Sequence, residues 1–111
     1  GPSSQANMAN GVLYISGQIP VDPATGALVE GVENETHQVM KNLEAVLKAA
    51  GLSFKNVVKA SIFLKNMDDF AVVNTIYASY LEEGSYPARE TVQVSCLPKN
   101  VDVEISMIAM L

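Results

Sequence analysis

Residues Tyr86–Leu111, YPARETVQVSCLPKNVDVEISMIAML, decide how the rest of the chain is read. Two stretches in it alternate apolar and polar side chains around a Pro-containing turn, Leu97-Pro98-Lys99-Asn100. Alternation of period two marks a β-strand with one buried face, so the segment predicts two strands joined as a hairpin. In the first strand Val92, Val94 and Cys96 share one face, and Arg89, Thr91, Gln93 and Ser95 share the other. In the second, Val101, Val103, Ile105, Met107 and Ala109 form the apolar row, with Asp102, Glu104 and Ser106 opposite. Such a hairpin puts Arg89 and Glu104 on one polar face. That pair is either a surface ion pair contributing at most about 1 kcal/mol, or the arrangement a small anionic substrate needs. Pattern alone leaves both open.

Upstream, Asn56 to Lys65 reads as a strand with Val58, Ala60, Ile62 and Leu64 on one face. Val57, Ser61 and Phe63 make its other face partly apolar, which places it inside a sheet. Between this strand and Tyr86 lies a helix. Asp68 and Asp69 cap its start, Phe70, Val73, Ile76, Tyr77, Tyr80 and Leu81 form its buried stripe, and Gly84 stops it. Asn74 sits beside the stripe, where satisfying backbone groups is its default role. An earlier helix runs from about Glu33 to Ala50 and ends at Gly51, with Val39, Met40, Leu43 and Leu47 in its apolar stripe. His37 falls on its wet side.

At the N-terminus, Gln5 to Ala9 and Val12 to Ile19 are short strands joined at Asn10-Gly11, the residue pair of a type I′ turn. Gly17 interrupts the second strand and marks either a bulge or a close approach by another group. Pro20 ends that strand, and Asp22-Pro23-Ala24-Thr25-Gly26 is turn chemistry. The order is therefore β-β-α-β-α-β-β, an α+β fold with two helices packed on one face of a mixed sheet. Leu13, Ile15, Phe63, Ile108 and Met110 cannot all reach the helices if alternation holds. A half-apolar sheet face without a helix predicts a homo-oligomer.

Bulk properties narrow the class. A chain of 111 residues with 49% hydrophobic and 17% charged residues is one globular domain, 1–111. No apolar run approaches the ~20 residues of a membrane span. A net charge of −5, with seven scattered basic residues, argues against a nucleic-acid partner. One cysteine, Cys96, fits a reducing, cytoplasmic setting, and its apolar strand row predicts a buried thiol. No set of ligands is spaced for a metal around His37. The absence of an initiator Met is read as processing, with Gly1-Pro2 partly a cleavage remnant.

Pro87-Ala88-Arg89, Leu97-Pro98-Lys99 and Val103-Glu104-Ile105 together resemble the C-terminal signature of the RidA/YjgF family of imine and enamine deaminases, also described as L-PSP endoribonuclease-like. Further pieces stand in the family's order: Gly1–Ala6, Ser16-Gly17-Gln18-Ile19-Pro20, Asp22–Gly26, Val57-Val58-Lys59-Ala60, and Met67-Asp68-Asp69-Phe70 before Val73-Asn74. The resemblance implies a chorismate-mutase-like α+β trimer, its sheets facing inward as a barrel and its ligand clefts lying between subunits. It implies hydrolysis of 2-imino and enamino acids, such as 2-aminoacrylate or 2-iminobutyrate, to 2-keto acids and ammonia, without cofactor or metal.

Arg89 matches the residue that holds the substrate carboxylate, and Glu104 the one that positions or activates water. Ser16, Gly17, Phe70 and Asn74 match pocket-lining positions, and Thr91 keeps a hydroxyl beside Arg89. The chain departs from the family in three places. Ser3 replaces an aromatic hydroxyl, Glu90-Thr91 follows the Arg where a small residue and Cys are usual, and Ser106 replaces a second Glu. Strand alternation turns Glu90 away from the face of Arg89. Two other activities attributed to the family compete with deamination, non-catalytic binding of small carboxylic acids and ribonuclease-like inhibition of translation.

Overall fold

Asn10 and Gly11 adopt φ of 51° and 78°, the two left-handed residues a type I′ turn demands, and they join β1 (Ala6–Ala9) to β2 (Val12–Gln18). The structure, a computed structural model, describes residues 4–111; Gly1, Pro2 and the Ser3 position lie outside the described residues. The remaining elements are α1 (Val32–Ala49), β3 (Val57–Leu64), α2 (Phe70–Ser79), β4 (Ala88–Gln93) and β5 (Val103–Met110). They follow the expected β-β-α-β-α-β-β order. One mixed sheet has the order β1-β2-β5-β3-β4.

The strand order corrects the hairpin. β4 and β5 do not pair, because β3 lies between them, parallel to β4 and antiparallel to β5. Parallel strands need a crossover, which α2 supplies between β3 and β4. β2 and β3 flank β5, both antiparallel to it, and α1 links them. The physical reason lies in side-chain character. β3 and β5 bury alternate residues against the helices and take the centre, whereas polar β4 suits an edge.

Both helices cover the same sheet face. Val39, Met40, Leu43 and Leu47 of α1 and Val73 and Tyr77 of α2 pack on Ala60, Ile62, Leu64, Val103, Ile105 and Met107. Leu13 and Ile15 also join this core, which corrects their expected place on the uncovered side. The uncovered face carries Tyr14, Phe63, Val92, Ile108 and Met110. Of these, Tyr14 is 50% exposed and Met110 46%.

Four local readings also change. A register shift between Val57 and Lys59 turns Val58 out to solvent, away from the face of Ala60 and Ile62. The turn before α2 is capped by Asn66, whose side chain accepts the Asp68 N–H at 2.9 Å; neither Asp68 nor Asp69 caps. That helix ends at Ser79, well before Gly84. Cys96 is exposed, because β4 stops at Gln93 and the alternation does not extend to it.

Candidate functional site

Arg89 is the second residue of β4 and points to the helix-covered side, paired in register with buried Ala60. Its terminal nitrogen donates to Asn74 Oδ1 on α2 at 2.5 Å. Its Cζ lies 5.6 Å from the ring centre of Phe70 and 5.2 Å from that of Tyr77. Residues 70, 74 and 77 follow helical spacing, so one stripe of α2 presents a ring, an amide and a second ring to one guanidinium. Arg89 makes no other side-chain hydrogen bond or ion pair among the described residues. Most of its fixed donor fork is therefore available to an anion.

Beside it, Thr91 shares the same strand face. Thr91 Oγ1 and the Tyr77 hydroxyl are buried and have no hydrogen-bond partner among the described residues. Burial pushes the Tyr77 hydroxyl up from its ordinary pKa, partly offset by the nearby Arg89 charge. Tyr77 reads from sequence as stripe alone. Its spacing from Asn74, one turn along α2, was the available signal that it borders the same group.

Glu104 lies elsewhere. It stands on β5 opposite Phe63, on the uncovered face of the sheet. Its carboxyl has no hydrogen-bond partner among the described residues, and burial raises its pKa above the ordinary carboxylate value. A Cβ on Gly17 would come within 2.5 Å of Glu104 Oε2 and 2.6 Å of its carboxyl carbon. A register shift between Ile15 and Gln18 accompanies this approach, so both readings of Gly17 hold. Adjacent Ser16 donates its hydroxyl to the Ser4 carbonyl at 2.7 Å.

The expected single polar face is thus two separate clusters. Arg89, Asn74, Phe70 and Thr91 gather on the helix side of the β4 edge; Glu104, Gly17 and Ser16 gather on the open side. The two clusters are two strand spacings apart, about 10 Å, on opposite faces of one sheet. The interposed β3 keeps them apart in one chain.

Glu90 points away from Arg89, as alternation requires. It accepts a hydrogen bond from Ser61 at 2.5 Å and pairs with Lys59 at 3.3 Å, which together hold its pKa below the ordinary value. Ser106 pairs in register with Ser61 on this same face. A hollow of about 670 Å³ elsewhere, bordered by Lys41, Lys48, Lys55 and Tyr80, contains none of the site residues, and its Lys55 is paired with Glu82 at 3.5 Å. His37 is exposed and hydrogen-bonded to the Tyr80 hydroxyl at 2.7 Å. Among the described residues no three His, Cys, Asp or Glu side chains gather where a metal could be held, and no helix is long and apolar enough to cross a membrane.

Comparison with known proteins places this geometry in a family. The profile of the endoribonuclease L-PSP family matches residues 1–111. A mouse protein named 2-iminobutanoate/2-iminopropanoate deaminase is 50% identical over 110 residues, covering 98% of this chain and 81% of the relative. A crystal structure of a Rid-family protein of unknown function, YyfA from Yersinia pestis, has a TM-score of 0.97 and 51% identity, covering 100% of this chain and 89% of that one. E. coli TdcF with bound serine has a TM-score of 0.95 and 37% identity, covering 100% and 89%. With its whole length matched and its mixed five-stranded sheet shared, the chain belongs to the endoribonuclease L-PSP family, that of the RidA/YjgF proteins.

Proposed function

We propose that this chain hydrolyses 2-imino acids, and enamino acids through their imine tautomers, to 2-keto acids and ammonia. The observation that carries the reading is the Arg89 guanidinium, held by Asn74 between two rings with most of its donors unpaired among the described residues. A planar fork suits a carboxylate with two parallel hydrogen bonds, and holding it in advance lowers the entropic cost of binding. The name borne by the mouse relative supports the reaction, and the serine bound to E. coli TdcF supports a small-molecule ligand.

The reaction needs little more. Water adds to the electrophilic C=N carbon, both of its protons pass in turn to the nitrogen, and the C–N bond breaks with its electron pair leaving on ammonia as the added oxygen forms the new C=O. Glu104 is the group for the proton work: half-buried, without a hydrogen-bond partner among the described residues, and shifted toward neutrality. Since Glu104 and Arg89 cannot meet in one chain, a second copy must supply the missing half. In this reading the apolar open face of one subunit packs against the β4 edge of the next. Glu104, Gly17 and Ser16 of one copy then complete the cleft of Arg89, Asn74, Phe70 and Thr91 of its neighbour. A closed homotrimer satisfies every such interface.

Non-catalytic carboxylate binding needs the Arg89 cluster alone and is the second reading. A ribonuclease role fits poorly with a net charge of −5. The test couples an imine-generating dehydratase to keto-acid release with and without the protein. Acceleration over spontaneous hydrolysis supports deamination, whereas carboxylate binding without acceleration supports the binder.

A further inference from the structure

The hollow of about 670 Å³ that holds none of the site residues lies between α1, the turn ahead of β3 and the chain leaving α2. Leu52, Phe54, Tyr80 and Leu81 give it an apolar wall, in which the Phe54 and Tyr80 rings meet edge to face with centres 6.1 Å apart. Its rim is basic. Lys41 and Lys48 are exposed two turns apart on α1 and Lys55 borders the same space, so half of the six lysines in a chain of net charge −5 surround one hollow. Two carboxylates oppose them. Glu82 is taken by Lys55 at 3.5 Å, which leaves Glu44 alone against Lys41 and Lys48, neither of them in an ion pair among the described residues. Three lysines against two carboxylates leave the rim one positive charge in excess. No lining residue belongs to β4 or to the open sheet face, so the subunit contacts proposed above leave this hollow uncovered.

We infer that this hollow is a second ligand site, one that takes organic anions bearing a single acidic head on an aromatic body. The inference stands apart from the Arg89 reading, since the two hollows share no residue. Spaces of roughly 300–1,000 Å³ with a mostly apolar wall and a few polar heads are the usual form of a small-molecule site. The wall selects the body, because an aromatic ligand gains edge or offset contacts with the Phe54 and Tyr80 rings as well as apolar burial. The rim selects the sign. A cation would meet three ammonium groups with one free carboxylate to hold it, and a neutral ligand would leave both unpaired lysines unused. Lysine suits such a rim, because its flexible stem lies along apolar surface while its ammonium follows the acidic head.

The test titrates the isotope-labelled full chain with 2-naphthoate and follows its backbone amide shifts by magnetic resonance. The matching alcohol, 2-naphthalenemethanol, is the neutral probe, and 2-naphthylmethylammonium is the cation. Each titration is run on the wild-type chain and on Arg89→Ala, because a carboxylate also suits Arg89. The expected result is saturable shifts centred on residues 41–48, 52–55 and 80–85, retained in Arg89→Ala. The anion binds roughly 2- to 30-fold tighter than the alcohol, the range for two exposed ion pairs, and the cation binds weakest. Lys41→Gln with Lys48→Gln brings the anion to the affinity of the alcohol. Ala45→Phe, at an exposed position on the α1 side, fills the hollow and removes binding of both; these variants change exposed side chains and leave the core intact. Shifts that never saturate, or that vanish in Arg89→Ala, overturn the inference. So do equal or tighter binding of the alcohol or the cation, an anion preference unchanged by the double lysine variant, and undiminished binding in Ala45→Phe.

Discussion

The two clusters of polar residues differ in what surrounds them, and in the proposed reaction that difference divides binding from proton transfer. Arg89 is gripped by its own chain through an amide and two rings and stands at a sheet edge. Glu104 stands mid-strand on the open face, with no hydrogen-bond partner among the described residues and space made for it by the missing side chain of Gly17. A restrained cation is suited to holding an anion in one orientation. A half-buried carboxyl without donors is suited to exchanging a proton, because neither of its charge states is strongly held.

Breaking the restrained side has the largest consequence. Arg89→Ala is expected to cost about 2–5 kcal/mol of carboxylate binding, roughly 30- to 5,000-fold, and to remove turnover with it. Arg89→Lys restores only part, since an ammonium cannot form the two parallel bonds; calorimetry with a keto acid checks both. Breaking the other side sharpens the contrast. Glu104→Ala leaves keto-acid binding intact and lowers kcat by about 10²–10⁴.

Gly17→Ala acts through the same carboxyl, because its new Cβ would occupy the space of Glu104. It is expected to lower kcat similarly and to add little in a Glu104→Ala background, the non-additivity of groups acting as a unit. Because burial raises the Glu104 pKa, the acid limb of the kcat profile is expected above the usual carboxylate range. Activity that needs the carboxylate then falls as pH drops through that raised value.

Away from both clusters the effects shrink. Glu35 on α1 is buried and accepts the Asp102 N–H at 2.9 Å, and burial raises its pKa from 4.5 to about 7. Between those values the folded chain binds more protons than the unfolded one. Stability therefore falls as pH rises from 4.5 to about 7. Glu35→Gln flattens that slope, worth of order 1–3 kcal/mol, in denaturant melts across the window. The exposed Cys96 carries least: Cys96→Ser is expected to move stability by within about 0.5 kcal/mol in the same melts.

Much of this architecture was legible in the residues, for identifiable reasons. The α1 stripe and the Asn10-Gly11 turn are governed by local spacing and local φ, and both stand where the sequence puts them. Glu90 faces away from Arg89 because alternation within one short strand is also local. Strand order is not local. The Leu97–Asn100 turn looks like a hairpin connection, yet the more apolar β3 claims the slot between β4 and β5, and that competition decides which face Arg89 occupies. Register shifts escape pattern for the same reason: one extra residue at Val57–Lys59 reverses Val58 without changing the composition around it. Strand alternation singles out Arg89 and Glu104 and family resemblance adds Ser16, Gly17, Phe70, Asn74 and Thr91, but their division between two faces depends on the strand order of the sheet.

Subunit complementation tests that division most directly. Arg89→Ala and Glu104→Ala chains are each inactive in this account, since every cleft in either homo-oligomer lacks one half. Unfolded together and refolded at equal ratio, they should regain about one-quarter of wild-type imine hydrolysis, the share of clefts that draw Arg89 from one subunit and Glu104 from its neighbour in a closed ring. Activity in the mixture no higher than in either parent, with mixed oligomers verified by mass, would contradict a cleft shared between copies.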